Sequence, residues 1–400
     1  MKTVLVIIDG LGDVPNPNLD FKTPLEVAIT PHLDFMATNG KIGRINTVFD
    51  GFPIESMVCI MGLLGYEPEK FYPSGRASFE ALARGIVLNP SDLVLRCNII
   101  SLDDSKKKIS DFTAGLITDD DAKKIISQIK LPFDNWELYS GQSYRNLLVI
   151  RNANSDVKNI KCFEPHMNIW NNINDLYPYN KSNSNDIIMK NVQHFLFDTI
   201  NQIKKMELPD TCKADMLWVW SPSIKPDWPS FKSRTGLTAT FVGALDFLHG
   251  IAIAANINYE IIPGATGYID TDYKAKGEYA KKELENNDLV LIHINATDEE
   301  AHQRNYVGKT KAIENIDRYI IGPTLDELEK KYKNNFRIAV CGDHETNSID
   351  GKHGKSPVPY LVYGKGITPS PEHSIPFSEK NCKKFTPILS LNFLNEITNQ

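Results

Sequence analysis

The chain has 400 residues, 42% of them hydrophobic and 24% charged, which supports a sizeable buried core and excludes a mini-protein or a globally disordered chain. At roughly 100 to 200 residues per domain, two domains or one large elaborated domain are expected. The 44 basic and 50 acidic side chains leave a net charge of -6, so no chain-wide basic field exists to bind nucleic acid or an anionic membrane, and small-molecule chemistry is the expected class.

The chain opens with Val4 to Ile8, a continuous apolar run ended by Asp9-Gly10. That pattern predicts a strand buried on both faces of a parallel sheet, and the early Asp9 argues against a signal peptide. Asp9 would stand at the strand's carboxyl end, where open α/β sheets place ligands, although Asp-Gly is also a common turn. Ser56 precedes an apolar helix expected over Val58 to Gly65. It can offer a hydroxyl beside free helix N–H groups, or act as an N-cap alone. From about Asp92 to Lys205 the apolar runs are shorter, and Asn168 to Asn185 is crowded with Asn, Ser, Tyr and Lys, as in a loop or insertion. We expect an inserted α+β domain over 92–205, with 1–91 and 206–400 forming the larger domain.

Three further strand-like runs follow, Met216–Trp220, Leu289–Ile294 and Arg337–Cys341, with helical stretches expected over Phe241–Asn256, Tyr279–Asn286 and Lys311–Tyr332. Alternating strands and helices imply a doubly wound, mostly parallel α/β sheet. The six cysteines form no CxxC pair, and no run approaches the ~18 apolar residues of a membrane span. A soluble cytoplasmic protein is expected; oligomeric state is left open.

After Leu289–Ile294, Asp298 and His302 lie one helical turn apart on the same face; after Arg337–Cys341 come Asp343-His344, then His353. Each group alone could be a cap or a surface pair. Three strand ends bearing carboxylates and imidazoles point instead to one divalent metal centre, and so many ligands suit two ions clamping a phosphoryl or sulfuryl displacement. Ser56 is then a candidate nucleophile. Arg76, Arg96, Arg145, Arg151, His166, Lys225 and Arg234 are candidate partners for an anionic substrate.

These residues sit in longer motifs: VLVIIDGLGD (4–13), TPLEVAITPHLD (23–34), MGLLGYEP (61–68), GRASFEALARGI (75–86), YRNLLVIR (144–151), PGATGYIDTDY (263–273), ATDEEAH (296–302) and, after Asp343-His344, PVPYLVYGKGI (357–367). Along nearly its whole length the chain resembles the archaeal-type cofactor-independent phosphoglycerate mutases of the alkaline phosphatase superfamily. The resemblance implies an alkaline phosphatase-like core and a glycolytic and gluconeogenic enzyme interconverting 3- and 2-phosphoglycerate without 2,3-bisphosphoglycerate. It further implies two divalent ions, Mn2+ or Mg2+, with Zn2+ or Co2+ also suitable. Asp9, Ser56, Asp343 and His344 would hold one ion, and Asp298, His302 and His353 the other. Ser56 would be transiently phosphorylated, an inserted lid domain would bring Arg96, Arg145 and His166 to the substrate, and Arg151 and Lys225 would be further substrate-binding residues. Glu55 and Met57 depart from the family's Gly-Ser-Asp, and Glu345 follows Asp-His where proline is common, which keeps a metal-dependent phosphatase or another phosphomutase as the alternative.

Overall fold

The computed structural model describes residues 1–371 and 375–398. The chain forms two compact units, Met1–Tyr72 with Trp228–Gln400, and Pro73–Asp227.

In the larger unit the sheet strands are β1 (Lys2–Ile8), β2 (Lys41–Asn46), β3 (Ala239–Gly243), β4 (Asn258–Ile261), β5 (Leu289–Ile294), β6 (Phe336–Gly342), β7 (Val358–Gly364) and β8 (Ile388–Leu389). Their order across the sheet is β4-β3-β5-β1-β6-β7-β2-β8. β1 is parallel to both β5 and β6, and β7 runs antiparallel to its neighbours β6 and β2. β1, β5 and β6 are buried along almost their whole length, which explains their unbroken apolar runs. Val4, Val6 and Ile8 of β1 pack with Val290 and Ile292 of β5, Ile338 and Val340 of β6, and with Ile313, Ile316 and Ile320 of the covering helices.

The register fixes the position of the site. Ile8 pairs with Ile294 on one side and Gly342 on the other, so Asp9, Asn295 and Asp343 leave the sheet at one level. Because β7 is antiparallel to β6, their connection needs no crossover helix and stays at this edge. It forms a small ribbon in which Glu345 pairs with Gly354 and Thr346 with His353.

Several elements differ from expectation. Phe241 to Gly243 is the end of β3, and helix begins only at Asp246, because the β-branched and aromatic residues Thr240 to Val242 favour the strand. The helix expected from Tyr279 begins at Tyr273, its N-terminus capped by the Asp272 side chain. The Lys311–Tyr332 stretch divides into helices Tyr306–Ile316 and Gly322–Tyr332, joined by a π-helical turn at Asp317–Ile321. The Asp317 carboxylate accepts the Leu33 N–H there, at 2.8 Å.

The smaller unit has its own core, including Leu93, Leu95, Leu148, Phe195 and Trp218. It is wider than 92–205, because Met216–Ser223 pairs antiparallel with Leu93–Leu102. The Ser221 and Ser223 hydroxyls also accept the Arg76 and Ser78 N–H groups, tying helix Ala77–Ala83 to the same unit. Met216–Trp220 therefore lies outside the doubly wound sheet; an apolar run cannot distinguish a parallel setting from an antiparallel one covered on both faces. No helix among the described residues is long and apolar enough to cross a membrane.

Candidate metal centre

Asp9, directly beyond β1, is fully buried. Its carboxylate receives the Ser56 hydroxyl at 3.2 and 3.1 Å, and Ser56 Oγ also lies 3.2 Å from His344 Nε2. Ser56 is the first residue of α1 (Ser56–Leu63), whose other residues are all buried, so the helix is held as a rigid mount for the hydroxyl. Asp343, just past β6, accepts the Gly10 N–H at 3.0 Å and the His344 N–H at 2.8 Å through Oδ1. Its Oδ2 is buried and receives no hydrogen bond.

The second group is built on a short helix, α2 (Ala296–His302), that follows β5. There His302 Nε2 lies 3.1 Å from Asp298 Oδ2, His353 Nε2 lies 3.6 Å from Asp298 Oδ1, and the two Nε2 atoms are 3.1 Å apart. Asp9, Asp343 and His344 bring ligand atoms within 4.8 Å of one another, as do Asp298, His344 and His353. The expected ligands are thus gathered, with His344 between the two groups.

These residues fit divalent cations. Burial, reinforced by the Asp343 and Asp298 carboxylates, drives the Asp9 carboxyl well above its ordinary pKa. Burial also pushes Asp298 upward, but the hydrogen bonds from His302 and His353 outweigh it and hold that carboxyl well below the usual range. The Asp298 hydrogen bond raises His302 to about 9. The ring orientations agree: His302 Nδ1 lies 2.8 Å from the Gly351 carbonyl and His353 Nδ1 2.6 Å from the Ile54 carbonyl. A carbonyl only accepts, so each Nδ1 carries a proton and each Nε2 faces inward.

Several contributors were not singled out from sequence. Gly10 has φ +63°, and a Cβ there would meet Thr346 Oγ1 at 2.6 Å and Asp298 Oδ1 at 2.8 Å, so glycine is required both by the turn and by the close approach. The Thr297 hydroxyl donates to the Asp9 carbonyl. His293, inside β5 and buried, places Nε2 3.2 Å from Asp9 Oδ2, and burial lowers it to about 4. Lys309 is fully buried; its ammonium donates to Asp13 Oδ2 at 2.8 Å, the Thr346 carbonyl at 2.7 Å and the Gly12 carbonyl at 3.2 Å. A polar residue within an apolar run was the available signal for His293; Lys309 reads as an ordinary helix-surface lysine. Glu55 receives the Tyr72 hydroxyl at 3.4 Å.

Within the smaller unit, Arg96 is 5% exposed and its guanidinium stacks 4.1 Å above the Trp220 ring, with Arg76 6.0 Å from the same ring. Glu80 Oε1 lies 3.3 Å from both the Arg76 and Arg96 Nε atoms. His166 packs edge-on to Trp220 at 5.4 Å, and the Trp220 indole N–H is held by Asn98 at 2.9 Å. Burial, with Arg76 and Arg145 adding to it and Glu80 opposing it, lowers Arg96 to about 9. Arg145 stacks on Tyr144 at 4.8 Å.

Arg151 is a correction. Its guanidinium is spent within the unit on Glu137 (2.9 and 2.6 Å), Asp92 (2.7 Å), the Val87 carbonyl (2.7 Å) and the Tyr139 hydroxyl (3.3 Å). It braces the fold and has no fork left for a substrate. Arg234, in the larger unit, is likewise engaged, on the Leu64 and Gly65 carbonyls. Lys225 is exposed and makes no hydrogen bond or ion pair among the described residues.

A doubly wound sheet whose strand ends gather carboxylates, imidazoles and one serine defines the class as an α/β protein with a cluster of potential metal ligands at one sheet edge. A family model described as 2,3-bisphosphoglycerate-independent phosphoglycerate mutase matches residues 37–206. The Methanosarcina barkeri enzyme of that name is 34% identical over 391 residues, covering 96% of this chain and 95% of its own. The cofactor-independent phosphoglycerate mutase from Thermoplasma acidophilum has a similar structure, with TM-score 0.66 and 25% identity, covering 100% of this chain and 99% of its own. A Pyrococcus horikoshii protein shares the fold at TM-score 0.81 and 24% identity, covering 100% of this chain and 96% of its own. The chain belongs to the 2,3-bisphosphoglycerate-independent phosphoglycerate mutase family.

Proposed function

We propose that the protein interconverts 3-phosphoglycerate and 2-phosphoglycerate through a phosphorylated Ser56. The observation that carries this reading is the convergence of the Ser56 hydroxyl, three carboxylates and three imidazoles at one sheet edge. Asp9, Ser56, Asp343 and His344 would hold one divalent ion, and Asp298, His302 and His353 the other. Mixed carboxylate and imidazole donors suit Mn2+ or Mg2+, and accommodate Zn2+ or Co2+. Such ions, when bound, neutralise phosphoryl charge and lower the pKa of a coordinated hydroxyl.

The protein's own groups do the rest. The Ser56 O–H donates to the Asp9 carboxylate, which accepts the proton as Oγ bonds to phosphorus and the bond from phosphorus to the substrate's 3-oxygen breaks. That oxygen leaves as the 3-hydroxyl of glycerate by taking up the proton Ser56 gave. In the second half the 2-hydroxyl oxygen attacks the phosphoserine and gives up its proton, the bond from phosphorus to Ser56 Oγ breaks, and Ser56 Oγ takes that proton. Arg96, Arg145 and His166, joined by Arg76, are assigned to the substrate's carboxylate and phosphate, whose oxygens suit guanidinium groups. Lys225, without a partner among the described residues, is assigned to the same role. A cytoplasmic setting agrees with six unpaired cysteines.

Phosphorus NMR of 3-phosphoglycerate incubated with the protein and Mn2+ or Mg2+ tests the reading. Growth of the 2-phosphoglycerate resonance is the expected result. Growth of inorganic phosphate alone would replace the mutase with a phosphatase, and an unchanged spectrum would remove phosphoglycerate as substrate.

A further inference from the structure

Thr346 touches both ligand groups at once. It is fully buried on the ribbon after β6, where it pairs in register with His353. Its backbone N–H donates to the Gly12 carbonyl at 3.0 Å, and its carbonyl accepts the buried Lys309 ammonium at 2.7 Å. Both backbone groups are therefore fixed to the loop that follows β1 and to the helix Tyr306–Ile316. The side-chain hydroxyl then has a single place to be: Oγ1 lies 2.6 Å from Asp298 Oδ1 and 3.1 Å from His344 Nδ1.

The direction of these two hydrogen bonds follows from what each partner can do. An ionised carboxylate only accepts, so the Thr346 O–H must donate to Asp298. The hydroxyl has one proton, so towards His344 it can only accept, and His344 Nδ1 must carry the N–H. His344 is thereby left with its lone pair on Nε2, the atom that lies 3.2 Å from Ser56 Oγ and 3.3 Å from Asp9 Oδ1. His302 and His353 have the same tautomer imposed by backbone carbonyls; His344 is the one ligand imidazole whose tautomer depends on a side chain.

We propose that Thr346 is a positioning residue that sets the His344 tautomer and orients Asp298, so that one hydroxyl organises a ligand in each ion site. The inference rests on the two-ion reading given above and deepens it. It also explains why residue 10 must be glycine, since any Cβ there would fall on this hydroxyl.

The test compares Thr346→Val, which keeps the shape and removes the hydroxyl, with Thr346→Ser, which keeps the hydroxyl and removes the methyl. Each protein is stripped with a chelator and titrated with Mn2+ alone, with bound ion read by electron paramagnetic resonance and calorimetry. Outer-shell partners of metal ligands are typically worth about 10- to 100-fold in affinity. Thr346→Val is expected to lose that much, and Thr346→Ser to stay within about threefold of the unsubstituted protein, a rescue that a purely space-filling role would not give. Circular dichroism checks folding; should Thr346→Val fail to fold, Thr346→Ala takes its place beside Thr346→Ser. Unchanged Mn2+ affinity without the hydroxyl, or a serine variant as weak as valine, overturns the inference while leaving the two-ion reading intact. If the unsubstituted protein binds no Mn2+, the two-ion reading falls and the inference with it.

Discussion

Replacing Arg151 by methionine separates a brace from a substrate contact. The Asp92 side chain that it holds is fully buried, while Glu137 is 39% exposed. Breaking a buried ion pair by removing one partner costs about 3 to 5 kcal/mol, whereas an exposed pair contributes well under 1. Asp92 keeps the Asn89 N–H at 2.8 Å and the Asn152 N–H at 3.1 Å, which places the expected loss at the lower end, about 3 kcal/mol. With a urea slope of roughly 1.5 to 3 kcal/mol per molar, the midpoint of the smaller unit's transition should fall by about 1 to 2 M. The pH dependence has a definite sign. Burial raises the Asp92 carboxyl, but the Asn89 N–H, Arg151 and the Asn152 N–H together hold it below its ordinary 3.8. A depressed carboxylate contributes stability that is fully present above its unfolded pKa and is lost as pH falls through the folded value. The gap between the two proteins should therefore be full at pH 7 and close in acid below the ordinary value. The assay is urea unfolding followed by tryptophan fluorescence at pH 7 and pH 3, together with KM. A variant of undiminished stability with a raised KM would refute the bracing role and return Arg151 to the substrate.

Ser56→Ala should fold and still bind divalent ions through the remaining carboxylate and imidazole ligands, yet transfer no phosphate; turnover in that variant, measured by phosphorus NMR, would remove Ser56 as nucleophile. Gly10→Ala forces a positive φ on a residue with a Cβ and drives that Cβ into the Thr346–Asp298 pair, so a loss of about 2 to 4 kcal/mol in urea unfolding is expected, with weaker Mn2+ binding; a loss below about 0.5 kcal/mol would contradict the packing. Lys309→Met leaves Asp13 buried without its cation and should destabilise the larger unit by about 3 to 5 kcal/mol, read as a drop in the thermal midpoint in chelator; an unchanged midpoint would count against the brace. Chelation of divalent ions should abolish turnover and lower the thermal midpoint, and readdition of Mn2+ should restore both; full activity in excess chelator would contradict a metal centre.

What the sequence determines by itself is local and periodic. The β-branched runs of β1, β5 and β6, each closed by an acidic or polar residue, make the strands and place Asp9, Asp298 and Asp343 beyond their carboxyl ends, and helical spacing puts Asp298 and His302 on one face. Those features need only neighbours within a few residues, which is why they could be read without a structure. Which strands share a sheet was not readable: Met216–Trp220 has the same apolar run as β1 and pairs with Leu93–Leu102. Nor could sequence distinguish Arg96, held over Trp220, from Arg151, whose fork is consumed by Asp92 and Glu137, because both are arginines that directly follow an apolar strand residue, Leu95 and Ile150. The tautomers of the three histidines depend on Gly351, Ile54 and Thr346, and two of those contacts span roughly fifty residues or more of chain. The sequence thus specifies which groups reach the sheet edge; register and long-range pairing decide which of them meet, because a hydrogen bond depends on distance in space and not on separation along the chain.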